Sequence, residues 1–160
     1  MINYQGFSKI TEFLKRHPEF TVQLKEVESI ELTYDDTNEH SDTIHFARSF
    51  QAPPSSIEWL PTETDDFVAV LPKTHPLAAK KKLDLSELKK ENFLVLGPTT
   101  NLYQPVLDLC REAGFEPRIS YKGSRTDLII NMIANDMGIA IVMEKTVKNL
   151  VKRKYCDPPH

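Results

Sequence analysis

Glycine and cysteine are both scarce in this sequence. The five glycines are scattered over 160 residues, too few for the glycine-rich fingerprint of a dinucleotide-binding site. The two cysteines, Cys110 and Cys156, have the spacing of neither a metal site nor a redox motif. We therefore predict that both thiols are reduced and that the chain binds no cofactor and no metal.

Long apolar runs and an excess of positive charge are missing as well. No run approaches the roughly 18 consecutive apolar residues that a membrane span requires, and residues 1–6 lack the basic and apolar blocks of a signal peptide. The formal net charge of −3 gives no surplus of Lys and Arg for a nucleic acid. We expect a cytoplasmic chain that binds neither a membrane nor, by itself, DNA.

Local catalytic signatures are also absent. The sequence contains no G-x-S-x-G, no H-E-x-x-H, no G-x-x-x-x-G-K-[ST] and no C-x-x-C. A triad assembled from distant positions stays open as an alternative, because such residues need not be close in sequence. The prediction is a protein that is not an enzyme.

What the chain does have is an alternation of apolar runs and helical patterns in its second half. The runs are Phe67–Leu71, Phe93–Leu96 and Ile139–Met143, and apolar residues three and four apart predict helices over Leu102–Ala113 and Ser124–Asn135. This alternation is typical of a parallel sheet covered by helices. The predicted fold class is therefore α/β.

Capping residues set the expected ends of these helices. Asp84 or Ser86 is the predicted N-cap of a short helix before the second run, and Gly114 is the predicted left-handed cap after the next helix. Ser124 and Asp127 have the spacing of a capping box. Each cap predicts where a helix begins or ends.

The first part of the chain has a weaker pattern. Its spacing predicts an amphipathic helix over Tyr4–Arg16, a half-buried strand over Phe20–Leu24, a short helix over Ile30–Asp36 and another strand at Ile44–Phe46. After residue 151 neither a period nor a cap is present. The order of elements before Asp66 is thus helix, strand, helix, strand.

Several short strings stand together in one order and spacing: Phe13-x-x-x-x-Pro18, Asp42-x-Ile44-x-Phe46-x-Arg48, Val70-Leu71-Pro72-x-x-His75-Pro76-Leu77-Ala78, Leu85-x-x-Leu88, Gly114-Phe115-x-Pro117 and Met137-Gly138-Ile139-Ala140. Together they resemble the effector-binding (regulatory) domain of LysR-type transcriptional regulators. The resemblance implies a type 2 periplasmic-binding-protein-like fold of two lobes. It also implies a small-molecule inducer, bound in the cleft between the lobes.

The resemblance also sets expectations for domains and partners. It implies a first lobe over residues 1–71, which is incomplete because strands of the family's first lobe have no counterpart here, a second lobe over 72–148, and a frayed or truncated tail over 149–160. We expect the helix-turn-helix of the family to be missing from this chain. The first hypothesis is an inducer-sensing domain that binds a small organic acid and forms a homodimer. The alternative is a truncated partner that pairs with an intact regulator without binding an effector.

Candidate effector contacts follow two of the predicted strands. Thr99, Thr100 and Asn101 lie between a buried strand and a helix, where hydroxyl and backbone N–H groups can receive a carboxylate. The alternative for them is a plain helix cap. The segment 123–125 begins the next helix, and the same two interpretations apply there.

Six further residues complete the predicted site. Gly123 and Ser124 precede Arg125, whose guanidinium can form a two-pronged pair with an acid or remain in solvent. The resemblance places Arg48, followed by Ser49, at the cleft side of the first lobe, the alternative being a surface salt bridge. Met143 ends the last strand and is predicted either to close the pocket or to pack in the core.

Overall fold

The computed structural model describes residues 5–23, 44–50, 55 and 58–148. The chain divides into two units, residues 1–64 and residues 65–160. The predicted domain boundary came after residue 71. The division in the structure comes earlier in the chain, so residues 65–71 belong to the second unit. The predicted helix over Ile30–Asp36 and the predicted tail over 149–160 lie outside the described residues.

The described part of the first unit contains one helix, α1, over Gln5–Arg16. It ends where His17 precedes Pro18, because proline disfavours helical geometry in the residue before it. The Phe13 ring stacks on His17 with the ring centroids 4.4 Å apart, and Phe20 lies 5.7 Å from Phe13. The predicted amphipathic helix is confirmed.

The two strands predicted for the first unit are not formed in its described residues. Residues 20–23 and 44–50 belong to no strand, and Ile44 is 90% exposed. An alternating pattern shows which side chains a strand would bury, but a strand also needs a neighbour to complete its hydrogen-bond ladder. No described segment of this unit supplies one, and the prediction was wrong for these residues.

The second unit is a four-stranded arrangement with helices on both faces. Its elements in chain order are β1 (Phe67–Val70), a 3₁₀ helix (Leu85–Leu88), β2 (Asn92–Leu96), α2 (Tyr103–Glu112), β3 (Arg118–Gly123), α3 (Thr126–Ala134) and β4 (Ala140–Met143). Strand β2 is parallel to β3, and β1 is antiparallel to β4. A parallel bridge between Phe93 and Ile139 joins the two pairs, so the strand order is β3, β2, β4, β1.

Strand β2 is buried on both faces because its side chains alternate between two cores. Leu94 and Leu96 belong to a cluster with Ile129, Ile130 and other residues of α3. Phe93 and Val95 belong to a second cluster, together with residues of α2 and of the 3₁₀ helix. Continuous apolar runs are the expected signature of strands covered on both sides. The predicted α/β layering of this unit is confirmed, whereas the expectation of a parallel sheet was wrong for β1, which is antiparallel to β4.

Two of the predicted caps are present. Asp84 accepts a hydrogen bond from the Ser86 backbone N–H at 2.9 Å, and the Glu87 carboxylate accepts one from the Asp84 N–H at 3.2 Å. The helix that follows is a single 3₁₀ turn. Gly114 follows α2 with φ +85°, a conformation in which glycine avoids the strain of a side chain. These caps fix where the 3₁₀ helix begins and where α2 ends.

Candidate functional site

The carboxyl ends of β2 and β3 bring two predicted loops together. Leu96 pairs with Gly123 in the parallel ladder, and the Gly97 N–H donates a hydrogen bond to the Gly123 carbonyl at 2.8 Å. The following residues, 97–102 and 123–125, lead into α2 and α3. We call residues 97–102 and 123–125 the rim. In open α/β sheets the crevice at the carboxyl ends of the strands is the usual ligand site.

Helix α2 begins without an anion of its own. Its N-cap, Leu102, makes no side-chain capping bond, and its first turn contains no acidic residue. The N-terminal end of a helix concentrates partial positive charge on backbone N–H groups. In α2 no side-chain carboxylate of the first turn offsets that charge.

The predicted cap by Thr100 is not formed. Its hydroxyl donates to the Gly97 carbonyl at 2.9 Å, and its backbone N–H donates to the same oxygen at 3.0 Å. The hydroxyl is thus used inside the turn that precedes the helix, which is an ordinary local bond for threonine. The prediction of a Thr or Asn N-cap was wrong because the helix begins at Tyr103, with Leu102 before it.

Helix α3 begins with a charge pair of its own. Arg125 is the N-cap and makes no side-chain capping bond. Its Nε lies 3.2 Å from Asp127 Oδ1 and its Nη2 lies 2.5 Å from Oδ2. These hydrogen bonds are the main cause that lowers the pKa of Asp127, and the backbone N–H groups of Leu128 and Asp127 add to it.

The predicted Ser124–Asp127 capping box is therefore wrong. The box would need the Ser124 side chain at the N–H of Asp127, but Arg125 occupies the N-cap position, and the Asp127 carboxylate bonds that backbone itself. Arg125 forms a two-pronged pair with Asp127 of the same helix, whereas the pair predicted for it was with an effector acid. An incoming carboxylate at α3 would have to compete with Asp127.

The remaining predicted site residues fall into three groups. Thr99 and Ser124 are exposed, and Asn101 is half-buried, all on the rim. Arg48 and Ser49 are half-buried in the first unit. Met143 is 3% exposed and packs in the core cluster beneath α3. Of its two predicted roles, closing the pocket or packing in the core, the structure shows the second.

One rim-facing residue, Tyr121, was not predicted. A Cβ added to Gly123 would lie 2.6 Å from Cζ of the Tyr121 ring, so the ring covers the last residue of β3. The spacing Tyr-x-Gly at the end of a strand is the sequence signal for this contact, because alternate residues share one face. On the other side of the ladder, Lys122 Nζ lies 5.3 Å from the centroid of the Tyr103 ring.

The described residues contain neither a membrane-spanning helix nor a cluster of metal ligands. None of the described helices is long and apolar enough to cross a membrane, and the described ranges contain no group of three His, Cys, Asp or Glu side chains placed for a metal. Burial, with a smaller effect of Glu116, raises the pKa of the Cys110 thiol to about 11. Such a thiol is protonated at neutral pH and is a poor nucleophile.

The comparison with known proteins identifies the chain's relatives. The family model of the LysR substrate binding domain matches residues 8–156. The transcriptional dual regulator GltC of Bacillus subtilis (strain 168) is 30% identical over 90 residues, which cover 56% of this chain and 30% of GltC. The chain thus spans less than two thirds of the length of this curated relative.

Two solved structures share the fold over nearly the whole chain. The regulatory domain of CcmR from Synechocystis PCC6803, solved in complex with 2-PG, gives a TM-score of 0.67 at 21% identity, covering 91% of this chain and 70% of that one. The effector-binding domain of BenM with its effector benzoate gives 0.69 at 17% identity, covering 91% and 67%. These similarities confirm the predicted type 2 periplasmic-binding-protein-like fold. The chain belongs to the LysR substrate-binding domain family of transcriptional regulators.

Proposed function

We propose that this domain senses a small carboxylate-bearing effector, which binds at the rim. The observation that supports this most directly is the pairing of Leu96 with Gly123, because it sets the beginnings of α2 and α3 side by side in a fold whose ligands bind at strand ends. Family membership supports sensing, rather than catalysis, as the role of such a site. The structurally similar effector-binding domain of BenM was solved with benzoate, a carboxylate.

The effector carboxylate binds at the beginning of α2 in this proposal. That helix has no acidic residue in its first turn and no side-chain cap, so its partial positive charge favours an added anion. Thr99, Thr100 and Asn101 form the loop that would enclose the carboxylate. At α3 the corresponding position is held by Asp127, paired with Arg125.

Arg125 remains a second predicted contact, together with Gly123 and Ser124. Its side chain is 71% exposed, so rotation toward a ligand requires no unburying of the guanidinium. Arg48 and Ser49 remain predictions from the first unit, whereas the buried Met143 packs in the core. The mechanism is a population shift, in which the effector binds one arrangement of the domain more tightly than another. We expect effector binding to take place in the cytoplasm, where transcription is regulated.

Thermal unfolding tests the proposal with a panel of acids: acetate, glycolate, malonate, succinate, 2-PG and benzoate. A ligand that binds only the native state at 100 times its dissociation constant adds about 2.7 kcal/mol to the free energy of unfolding. We expect one acid to raise the melting temperature, and we expect Asn101→Asp to abolish that rise. A cooperative transition that no acid moves would contradict the proposal.

A second candidate function is pairing with an intact regulator without effector binding. It is favoured by the large apolar side chains exposed in the first unit, where Phe13 is 47% and Phe20 is 56% exposed. Large exposed apolar side chains that lie together mark interaction surfaces. Sedimentation of the chain alone, and mixed with a full-length family member, tests it. A mixed species that forms equally well with Phe20→Asp in place of the wild type would contradict this candidate.

A further inference from the structure

The ring of Tyr121 takes the place of a side chain at Gly123. The two residues are two apart on β3 and therefore lie on the same face of the strand. An ideal Cβ at Gly123 would lie 2.6 Å from Cζ and 2.7 Å from Cε1 of the ring, which is closer than two such carbons approach. Only glycine at position 123 leaves the ring in this position, directly over the last residue of the strand.

Tyr121 reaches from the core to the rim. Its ring packs against the buried cluster that includes residues of α3, which fixes the ring at its base. Its phenol oxygen would clash with a Cβ at Gly123, so it lies over the first residue of the rim segment 123–125. The carbonyl of Gly123 beneath the ring accepts the Gly97 N–H. The phenol is thus placed where the two loops of the rim meet.

A tyrosine in this position has two effects on a ligand. Its ring occupies volume over Gly123, the rim residue whose carbonyl accepts the Gly97 N–H, so it limits the size of an acid bound at the rim. Its hydroxyl can donate and accept hydrogen bonds, so it favours a ligand with a second polar group near the carboxylate. A bulky apolar group would not fit beside the ring. It would also displace water from the Tyr121 hydroxyl and leave that hydroxyl without a hydrogen-bond partner.

We propose that Tyr121 determines the specificity of the effector site and that it selects a small, hydroxylated or phosphorylated carboxylic acid over a bulky apolar one. This inference rests on the proposed function of the rim. Glycolate is the simplest probe of the favoured class, and benzoate is the probe of the disfavoured class. Both probes carry one carboxylate, and they differ in size and in the presence of a second polar group.

Isothermal titration of the 160-residue chain with each probe tests this inference. The wild type is expected to bind glycolate more tightly than benzoate. Tyr121→Ala should change the ratio of the two dissociation constants toward benzoate by about tenfold or more, since a change of pocket volume discriminates ligands on this scale. Tyr121→Phe keeps the ring, so it should weaken glycolate and leave benzoate unchanged. Arg118→Ala, at the exposed opposite end of β3, is the control and should leave the ratio unchanged.

The outcomes separate this inference from the proposed function. If the wild type binds an acid of the panel but Tyr121→Ala leaves the ratio unchanged, the role of Tyr121 is overturned and the effector site stands. A wild type that prefers benzoate to glycolate overturns the inference as well. If the folded wild type binds no acid at all, both fail together. Where Tyr121→Ala does not fold, Tyr121→Phe decides, and glycolate binding equal to the wild type overturns the inference.

Discussion

Helices α2 and α3 begin at equivalent places, each after a strand of the same parallel pair, yet their first turns differ in charge. Helix α2 has neither a side-chain cap nor an acidic residue in its first turn. Helix α3 contains Asp127 in its first turn, held by Arg125 through two hydrogen bonds. The fold supplies two helix beginnings at one edge, and the side chains leave only that of α2 without an internal anion.

This difference explains why fold alone does not locate the effector. A helix beginning attracts an anion through its backbone, but an internal carboxylate already provides much of that stabilisation. The first-turn residues therefore decide which of two similar positions remains available. The predictions below test this contrast between α2 and α3.

The largest effect is expected for Asn101→Asp in front of α2. A negative charge there should repel an effector carboxylate and remove the roughly 2.7 kcal/mol of stabilisation that the acid provides at 100 times its dissociation constant. The variant itself should be no less stable without ligand, because an acid near a helix beginning is favourable. Thermal melts with and without the acid measure both effects.

The matched control for that variant is Asn92→Asp. Asn92 is exposed at the other end of β2, so the same change of charge is made on the same strand but away from the rim. The acid should stabilise this variant as it does the wild type. Equal loss of stabilisation in both variants would show that the effect is one of net charge, and the contrast between the helices would not explain it.

The two glycines of the rim should differ in their tolerance of alanine. At Gly97 a Cβ would lie 3.7 Å from the Gly123 carbonyl oxygen, an ordinary contact, so Gly97→Ala should be neutral or stabilising by about 0.4–1 kcal/mol. At Gly123 the Cβ would overlap the outer end of the half-buried Tyr121 ring, which must turn aside at a cost of about 0.5–1.5 kcal/mol. Chemical denaturation of both variants measures the difference, and equal stabilities would contradict the placement of the ring.

A smaller effect is expected when the anion of α3 is removed. Asp127→Asn frees Arg125 and the first turn of α3, so a carboxylate gains a second favourable position. We expect affinity for the acid to rise by about two- to fivefold, the scale of one helix-dipole interaction. Titration calorimetry of Asp127→Asn against the wild type tests this. A fall in affinity would mean that Asp127 helps to hold the ligand site rather than to compete with it.

The smallest effect concerns stability at low pH. Hydrogen bonding by Arg125 lowers the pKa of Asp127 below its ordinary value, so its contribution to stability is present above the unfolded pKa and is lost as pH falls through the folded pKa. Between pH 5 and pH 2 the wild type should therefore lose more stability than Asp127→Asn. Urea unfolding across this range measures the two slopes. Parallel slopes would show that the ion pair does not form in solution.

The sequence predicted the elements of the second unit well because apolar spacing reports burial. The runs at 67–71 and 93–96 closely match β1 and β2, and Gly114 is the left-handed cap that its position indicated. The pairing of β1 with β4 could not be predicted in this way, since a run of apolar residues does not name its neighbour. That pairing places Phe67 opposite Met143 and assigns β1 to the second unit.

The site was harder to predict because caps compete with other partners. Thr100 and Ser124 are both of residue types that are favoured at the N-cap of a helix. In the structure the Thr100 hydroxyl bonds within its own turn, and Asp127 replaces Ser124 at the backbone of α3. Such choices depend on competing bonds only a few residues apart, which residue type and spacing alone do not rank.

The most direct test of the central claim is to find which helix receives the carboxylate. Backbone amide spectra of the ¹⁵N-labelled chain, recorded during titration with the best acid of the panel, resolve this residue by residue. The account predicts that the largest shifts occur at residues 101–104, in front of and within the first turn of α2. Largest shifts at residues 126–128 of α3, or no shifts at either helix, would contradict it.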